Sequence, residues 1–115
     1  MKASKSQLNN LFEQFNDLTV LIIGDVMIDS YYWGKVDRIS PEAPVPIVAV
    51  EKKESRLGGA ANVALNIKAM GATPILCSVI GADEDGKELI ELTKENDQTA
   101  EGLIQSYSRK TTKKT

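Results

Sequence analysis

Residue types that can bind a hydroxyl-rich small molecule occur at two places in the sequence. Asp25 and Asp29 follow a predicted strand, and the adjacent glycines Gly58 and Gly59 precede Asn62 at a predicted helix start. Glycine lets backbone approach a ligand closely, a helix start offers unpaired N–H groups, and an amide side chain both donates and accepts. A carboxylate accepts two hydroxyl hydrogen bonds. These residues predict a site for a polyol such as a sugar.

Each motif also has an interpretation without a ligand. The glycine pair could serve only to pack a helix against a sheet, Asp25 could cap a turn, and Asp29 could be solvated. The two motifs together favour the polyol site. Ligands of open α/β sheets bind at the carboxyl ends of strands, which is where both aspartates are predicted to lie.

The apolar pattern predicts an α/β sheet with right-handed crossovers. The predicted elements are a helix over 6–16 docked by one face, a strand over 18–23, an edge strand over 46–50, a charged turn over 51–54, a helix over 60–70, a strand over 74–80, a helix over 85–95 and a strand beginning at 103. The 18–23 run is largely apolar and rich in β-branched residues, which is typical of a strand buried on both faces. Prolines 41, 44 and 46 predict an irregular segment over 29–46.

Composition excludes several classes of function. The chain has 115 residues, enough for one small domain, and a net charge of −2, which predicts no nucleic-acid partner. It has no histidine and one cysteine, Cys77, so histidine catalysis, histidine-ligated metals and an internal disulfide are excluded. The sequence contains no apolar run of about 18 residues and no signal peptide, so we expect no membrane association and a cytoplasmic location. The acidic run over 81–86 is interpreted as a helix cap rather than a calcium loop.

Three motifs together resemble the ribokinase-type (PfkB) carbohydrate kinases. They are Gly-Asp-Val-Met-Ile-Asp at 24–29, Arg-Ile-Ser-Pro-Glu-Ala-Pro-Val-Pro at 38–46 and Gly-Gly-Ala-Ala-Asn-Val-Ala at 58–64. The resemblance covers about residues 18–115. Within the family it is similar to the heptose-7-phosphate kinases, which share the short spacing between the glycine pair and the asparagine. It implies an α/β fold: the N-terminal part of a ribokinase-like Rossmann-type sheet with a small β-lid over about 30–52.

The resemblance implies a role for each matching residue. Asp25 and Asp29 would hold sugar hydroxyls, and the lid would cover the sugar and also build homodimers. The residues implied to close on the sugar from the opposite side are Gly58, Gly59 and Asn62. A basic, threonine-rich strand is implied to assist the phosphate of the sugar, through Arg109, Thr111, Thr112 and Lys114.

The resemblance also implies parts that the sequence does not contain. The catalytic aspartate of the family lies in a Gly-Ala-Gly-Asp turn, which is absent here, and the intact enzyme would use ATP and Mg²⁺. We therefore expect the chain to be the truncated, sugar-binding part of a kinase for the anomeric hydroxyl of heptose 7-phosphate, binding no cofactor and inactive alone. The alternatives are another sugar kinase of this family and a non-catalytic product that only oligomerises. A dinucleotide-binding module is disfavoured, because the glycine fingerprint is missing.

Overall fold

A computed structural model describes residues 2–115 and shows an α/β fold. Its elements are α1 (Lys5–Phe15), β1 (Thr19–Ile23), β2 (Val26–Ile39), β3 (Pro46–Gly59), α2 (Ala60–Ala69), β4 (Thr73–Gly81), α3 (Glu84–Glu95), β5 (Leu103–Ser106) and β6 (Lys113–Lys114). The three predicted helices and the strands predicted at 18–23, at 74–80 and from 103 are confirmed. Ser4 and Asp83 cap α1 and α3 with their side chains, and Gly71 follows α2 with a φ of 106°.

The core lies on one face of a parallel sheet. This sheet has the strand order β1-β4-β5, and a second sheet has the order β3-β2-β6. The helices α2 and α3 pack against strands of both sheets around one apolar cluster. The buried members of that cluster are Val26, Ile28, Leu57, Ala61, Ala64, Leu76, Ile80, Leu89 and Leu103.

The opposite face of the parallel sheet is open. On β1, Leu21 is 60% exposed and Ile23 is 76% exposed, and Val79 and Ile104 add to the same apolar face. The prediction that the 18–23 strand is buried on both faces was therefore wrong, because no element of residues 2–115 covers this side. The docking predicted for the first helix was also wrong, since α1 has no buried residue. An apolar pattern indicates which face of an element can be buried. Here the second face of β1 and the apolar face of α1 both stay exposed.

Residues 26–59 form one long antiparallel hairpin. The strand predicted over 46–50 is part of it and is confirmed, whereas the irregular segment predicted over 29–46 and the charged turn predicted over 51–54 were wrong, because both are mostly strand. Pairing runs from Val26 opposite Gly59 to Ile39 opposite Pro46, with two bulges. The prolines are compatible with it, because Pro41 and Pro44 lie in the connecting loop and Pro46 is the first residue of β3. Most of the hairpin has no core to pack on, so its side chains lack the burial alternation that identifies a strand. We call the paired segments 30–39 and 46–55 the arm; it matches the predicted lid but extends past residue 52.

The arm projects from the domain. The radius of gyration is 19.0 Å and the largest dimension is 62 Å, whereas a compact domain of about 100 residues has a radius of gyration of about 13 Å. The strand β2 is buried where it crosses the core, at Val26, Ile28 and Ser30, and exposed from Tyr31 onward. One continuous strand thus carries the arm away from the core.

Asp83 ties the end of the chain to α3. Its carboxylate accepts hydrogen bonds from the N–H of Gly86 at 2.7 Å, the N–H of Thr111 at 2.9 Å and the hydroxyl of Thr111 at 2.7 Å. The Thr111 Oγ1 also accepts from the N–H of Gly81 at 2.9 Å. Hydrogen bonds from Thr111, and then from Gly86, lower the pKa of Asp83. We call the Asp83–Thr111 pair the clamp.

Leu89 provides a test of the single core. Its side chain is fully buried between α3 and the sheets, so Leu89→Ala should lower the free energy of unfolding by about 2–5 kcal/mol through lost burial and a cavity. Leu8 of α1 is 45% exposed, and the matched control Leu8→Ala should cost less than about 1 kcal/mol. Urea denaturation measures both. Equal losses would contradict this placement of the core.

The clamp predicts a pH dependence of stability. Because folding lowers the pKa of Asp83, its contribution is present above the unfolded-state pKa and is lost as the pH falls through the folded-state value. The stability difference between the wild type and Asp83→Asn should therefore be largest near neutral pH and shrink below about pH 4. Urea denaturation at several pH values measures it. Asp17→Asn, at an exposed position after α1, is the control; the same pH profile for both variants would refute the prediction.

Candidate functional site

The backbone at Asp25 and the end of β3 approach each other closely. Asp25 lies in the turn between β1 and β2, and its carbonyl accepts a hydrogen bond from the N–H of Ala60 at 2.8 Å. Gly59 has a φ of 62°, and a Cβ there would come within 2.5 Å of the Asp25 carbonyl oxygen. Only glycine satisfies both the positive φ and this contact. The turn therefore closes beside Asp25 because residue 59 has no side chain.

The carboxylate of Asp29 lies directly over Gly58. A Cβ at residue 58 would be 2.6 Å from Oδ2 of Asp29, so any other residue would displace the carboxylate. In the antiparallel pairing, Gly58 is opposite Met27 and Arg56 is opposite Asp29. The sequence grouped the two aspartates with the glycine pair, and the structure brings these four residues together. Each glycine accommodates a different aspartate.

The short strand β6 brings Lys114 beside Asp29. It pairs in parallel with β2, with Lys114 opposite Asp29, and the N–H of Ile28 donates to the carbonyl of Thr112 at 3.0 Å. Residues directly opposite on paired strands share a face of the sheet. Lys114 and Asp29 therefore line one concave space of about 240 Å³, which we call the cleft. Its other lining residues are Ser30, Tyr31 and Thr115.

Lys113, next to Lys114, points the other way. Its ammonium contacts the carboxylates of Asp85 at 2.8 Å and Glu88 at 3.4 Å on α3. The hydrogen bond to Asp85 raises the pKa of Lys113, so this ammonium is charged at neutral pH. Successive strand residues alternate between faces. Lys114 therefore faces the cleft, whereas Lys113 faces α3 and binds its carboxylates.

Ser30 is a cleft residue that the sequence analysis missed. It is 4% exposed, and its hydroxyl has no hydrogen-bond partner among residues 2–115. Along β2 it alternates with Asp29, so its side chain lies on the core face with Val26 and Ile28 and not on the face that carries Asp29. A single serine inside a strand belongs to no recognisable motif, so the sequence alone could not predict that Ser30 borders the cleft.

The remaining predicted site residues lie outside the cleft. Asn62 is exposed in the first turn of α2, three residues after Gly59. Arg109 is exposed in the segment after β5, and its carbonyl lies against Gly81 at the end of β4. Thr111 is buried, with its hydroxyl bound to Asp83 and Gly81.

The basic, threonine-rich strand expected over 109–114 is shorter than predicted. Only Lys113 and Lys114 are in strand conformation, and Thr112 is exposed just before them. The reason is that the N–H of Thr111 donates to the Asp83 carboxylate instead of to a neighbouring strand. Of the four residues predicted from this segment, the structure brings Lys114 alone into the cleft.

The face of the arm that carries Asp29 continues outward with aromatic and charged side chains. Tyr31 and Trp33 stack with ring centres 6.4 Å apart, and the Arg56 guanidinium lies 4.8 Å from the Tyr31 ring centre. Glu54 accepts from Nε of Arg56 at 2.7 Å, which lowers the pKa of Glu54. This surface offers flat apolar rings flanked by donors, next to a carboxylate.

Residues 2–115 contain no group of three or more histidine, cysteine, aspartate or glutamate side chains that could hold a metal ion. No helix in this part of the chain is long and apolar enough to cross a membrane.

Comparisons with known proteins agree with this geometry. The chain is 43% identical over 111 residues to "Bifunctional protein HldE" of Citrifermentans bemidjiense, covering 96% of this chain and 23% of that protein. It is 58% identical over 76 residues to "D-beta-D-heptose 7-phosphate kinase" of Bordetella bronchiseptica, covering 66% of this chain and 24% of that protein. The chain thus spans about a quarter of the length of these relatives.

The fold matches that of solved sugar kinases. The structure of Halothermothrix orenii fructokinase superimposes with a TM-score of 0.58 at 27% identity, covering 84% of this chain and 32% of that one. Residues 17–115 match the family described as "pfkB family carbohydrate kinase". That match covers all of the sheet strands and both glycine and aspartate motifs, and the chain belongs to the pfkB family of carbohydrate kinases.

Proposed function

We propose that this chain is the sugar-binding part of an ATP-dependent kinase for heptose 7-phosphate in the cytoplasm. The intact enzyme would phosphorylate the anomeric hydroxyl and so supply ADP-heptose biosynthesis. The observation that carries the proposal is the contact of Asp25 and Asp29 with the glycine pair, together with Lys114 beside Asp29 in the cleft. The name of the relative at 58% identity, "D-beta-D-heptose 7-phosphate kinase", supports heptose 7-phosphate as the acceptor.

The cleft offers complementary groups for the two ends of a sugar phosphate. The Asp29 carboxylate accepts hydrogen bonds from sugar hydroxyls. The Lys114 ammonium supplies a positive charge for a phosphate group. Gly58 and Gly59 leave space for the ligand to approach the backbone. Asn62 would close on the sugar from α2, and Arg109 would assist the phosphate only if its segment moved toward the cleft.

Phosphoryl transfer needs more than acceptor binding. It depends on aligning two substrates and stabilising charge on the transferred group. The sequence contains neither a glycine-rich nucleotide loop nor the Gly-Ala-Gly-Asp turn that carries the catalytic aspartate of the family. We propose that it binds the acceptor and does not phosphorylate it unaided.

Sugar binding by the 115-residue chain tests the proposed function. Titration calorimetry with heptose 7-phosphate should show saturable binding that Asp29→Asn and Asp25→Asn each weaken about tenfold, or about 1.4 kcal/mol, through loss of one charge-assisted hydrogen bond. The control Asp37→Asn, at an exposed bulge of the arm, should bind like the wild type. Unchanged affinity in both site variants would show that the aspartates are only turn residues.

The same titration separates the second candidate, another sugar kinase of this family. The likeness to fructokinase at 27% identity favours testing a hexose. If fructose binds more tightly than heptose 7-phosphate, and Lys114→Met has no effect, the acceptor is an unphosphorylated sugar. The heptose proposal requires the reverse order of affinities.

We also propose that the arm forms a homodimer. Apolar side chains on the arm are left exposed: Trp33 by 54%, Val36 by 56%, Val48 by 44% and Val50 by 55%. The pairing places Val36 opposite Val48 and Val50 opposite Gly34, so the valines form one stripe on one face. Exposed apolar stripes of this kind are typical of protein interfaces.

Charging the arm tests the dimer. The double variant Trp33→Glu, Val48→Lys should convert the dimer to a monomer in sedimentation velocity, because burying unpaired charge opposes association. The open face of the parallel sheet is the competing interface, so Ile23→Lys is the control and should leave the dimer intact. A monomer from Ile23→Lys, with the arm variant still dimeric, would assign the interface to the sheet instead.

A further inference from the structure

Lys114 lies in a strand that is too short for its own backbone pairing to fix its position. The strand β6 has two residues, Lys113 and Lys114, and pairs with β2 at the edge of its sheet. So short a pairing contributes few backbone hydrogen bonds, and strands this short depend on contacts elsewhere for their position. The position of Lys114 beside Asp29 must therefore be set by the residues that lead into β6.

The clamp fixes the residue two positions before β6. Thr111 is buried, at 8% exposed, and uses both its N–H and its hydroxyl on the Asp83 carboxylate, at 2.9 and 2.7 Å. Its hydroxyl oxygen also accepts from Gly81 at 2.9 Å. The three bonds join the end of β4 and the start of α3 to the final segment of the chain. Thr111 is therefore held from two sides, by elements that belong to the core.

A second attachment fixes the direction of β6. Lys113 is 23% exposed in its side chain and is held by Asp85 and Glu88 of α3. Because strand neighbours alternate, binding Lys113 to α3 turns Lys114 toward the opposite side, where Asp29 lies. The clamp and this ion pair both originate within one turn of the start of α3. Contacts with the N-terminal part of α3 thus determine the position of the Lys114 ammonium in the cleft.

We propose that Asp83 is a positioning residue for the sugar-phosphate site, acting through Thr111 to place Lys114 beside Asp29. This inference rests on the proposed function for the role of Lys114. Asp83 lies outside the cleft lining, so its effect on a ligand passes through the chain from Thr111 to Lys114. The geometry thereby gives α3 a role in ligand binding although the helix itself does not line the cleft.

The first experiment tests the placement without any ligand. The Ile28 N–H donates to the Thr112 carbonyl at 3.0 Å, so its hydrogen exchange reports directly on the pairing of β6 with β2. In the 115-residue chain, Thr111→Val should reduce protection of this amide at least about tenfold, while amides of the β1–β4 pairing keep theirs. Thr111→Ser retains the hydroxyl and should retain the protection. Unchanged protection in Thr111→Val would overturn the proposal.

The second experiment tests the effect on binding. Asp83→Ala should weaken binding of heptose 7-phosphate about tenfold in calorimetry, equivalent to losing the Lys114 contact. In a Lys114→Met background the same change should have almost no further effect, because the group that Asp83 positions is gone. Ser4→Ala removes the side-chain cap of α1, which has no connection to β6, and is the matched control for the loss of a helix cap.

The two experiments separate the positioning role from the proposed function. Additive losses in Asp83→Ala and Lys114→Met would mean that Asp83 acts on stability alone, and would overturn the proposal. If the wild type binds no sugar phosphate while the exchange result holds, the proposed function fails and the placement of β6 by the clamp stands. A loss in Asp83→Ala that disappears in the Lys114→Met background supports both.

Discussion

The close approach of two backbone segments determines most of this structure. The turn after β1 meets the end of β3 so tightly that residue 59 has no room for a Cβ. At that contact the Asp25 carbonyl binds the first N–H of α2, so the same interaction starts the helix and joins the hairpin to the parallel sheet. A side chain at residue 59 would force these elements apart, and one at residue 58 would displace the Asp29 carboxylate. The candidate site is therefore a consequence of how the two sheets meet.

A second constraint follows, because one strand belongs to both the core and the arm. The first part of β2 packs Val26 and Ile28 into the core, whereas the part beyond Tyr31 is exposed. Asp29 lies at the transition, so a strand that is anchored in the core holds it, and its side chain still lines the cleft. The polar site thus lies where the buried part of the hairpin ends and the exposed part begins.

The sequence predicted local features well and distant ones poorly. The grouping of Asp25 and Asp29 with the glycine pair depends on short motifs, as do the helix caps, and the structure has them together. The length of the two arm strands was missed, because exposed strands lack a burial pattern and only residues 46–50 were predicted as a strand there. The clamp was missed because Asp83 and Thr111 are 28 residues apart, and their hydrogen bonds follow from the packing of α3. The open sheet face was missed because an apolar run shows what can be buried, without showing what covers it.

The adjacent lysines at the end of the chain show why such distant contacts matter. A shift of β6 by one residue would exchange the faces of Lys113 and Lys114. The sequence alone does not distinguish the two residues, since both are lysines in a basic segment. The carboxylates of Asp85 and Glu88 make the distinction, because they bind whichever lysine faces α3, and the clamp sets the register by holding Thr111 two residues earlier. The charge in the cleft is thus assigned by contacts on the far side of the strand.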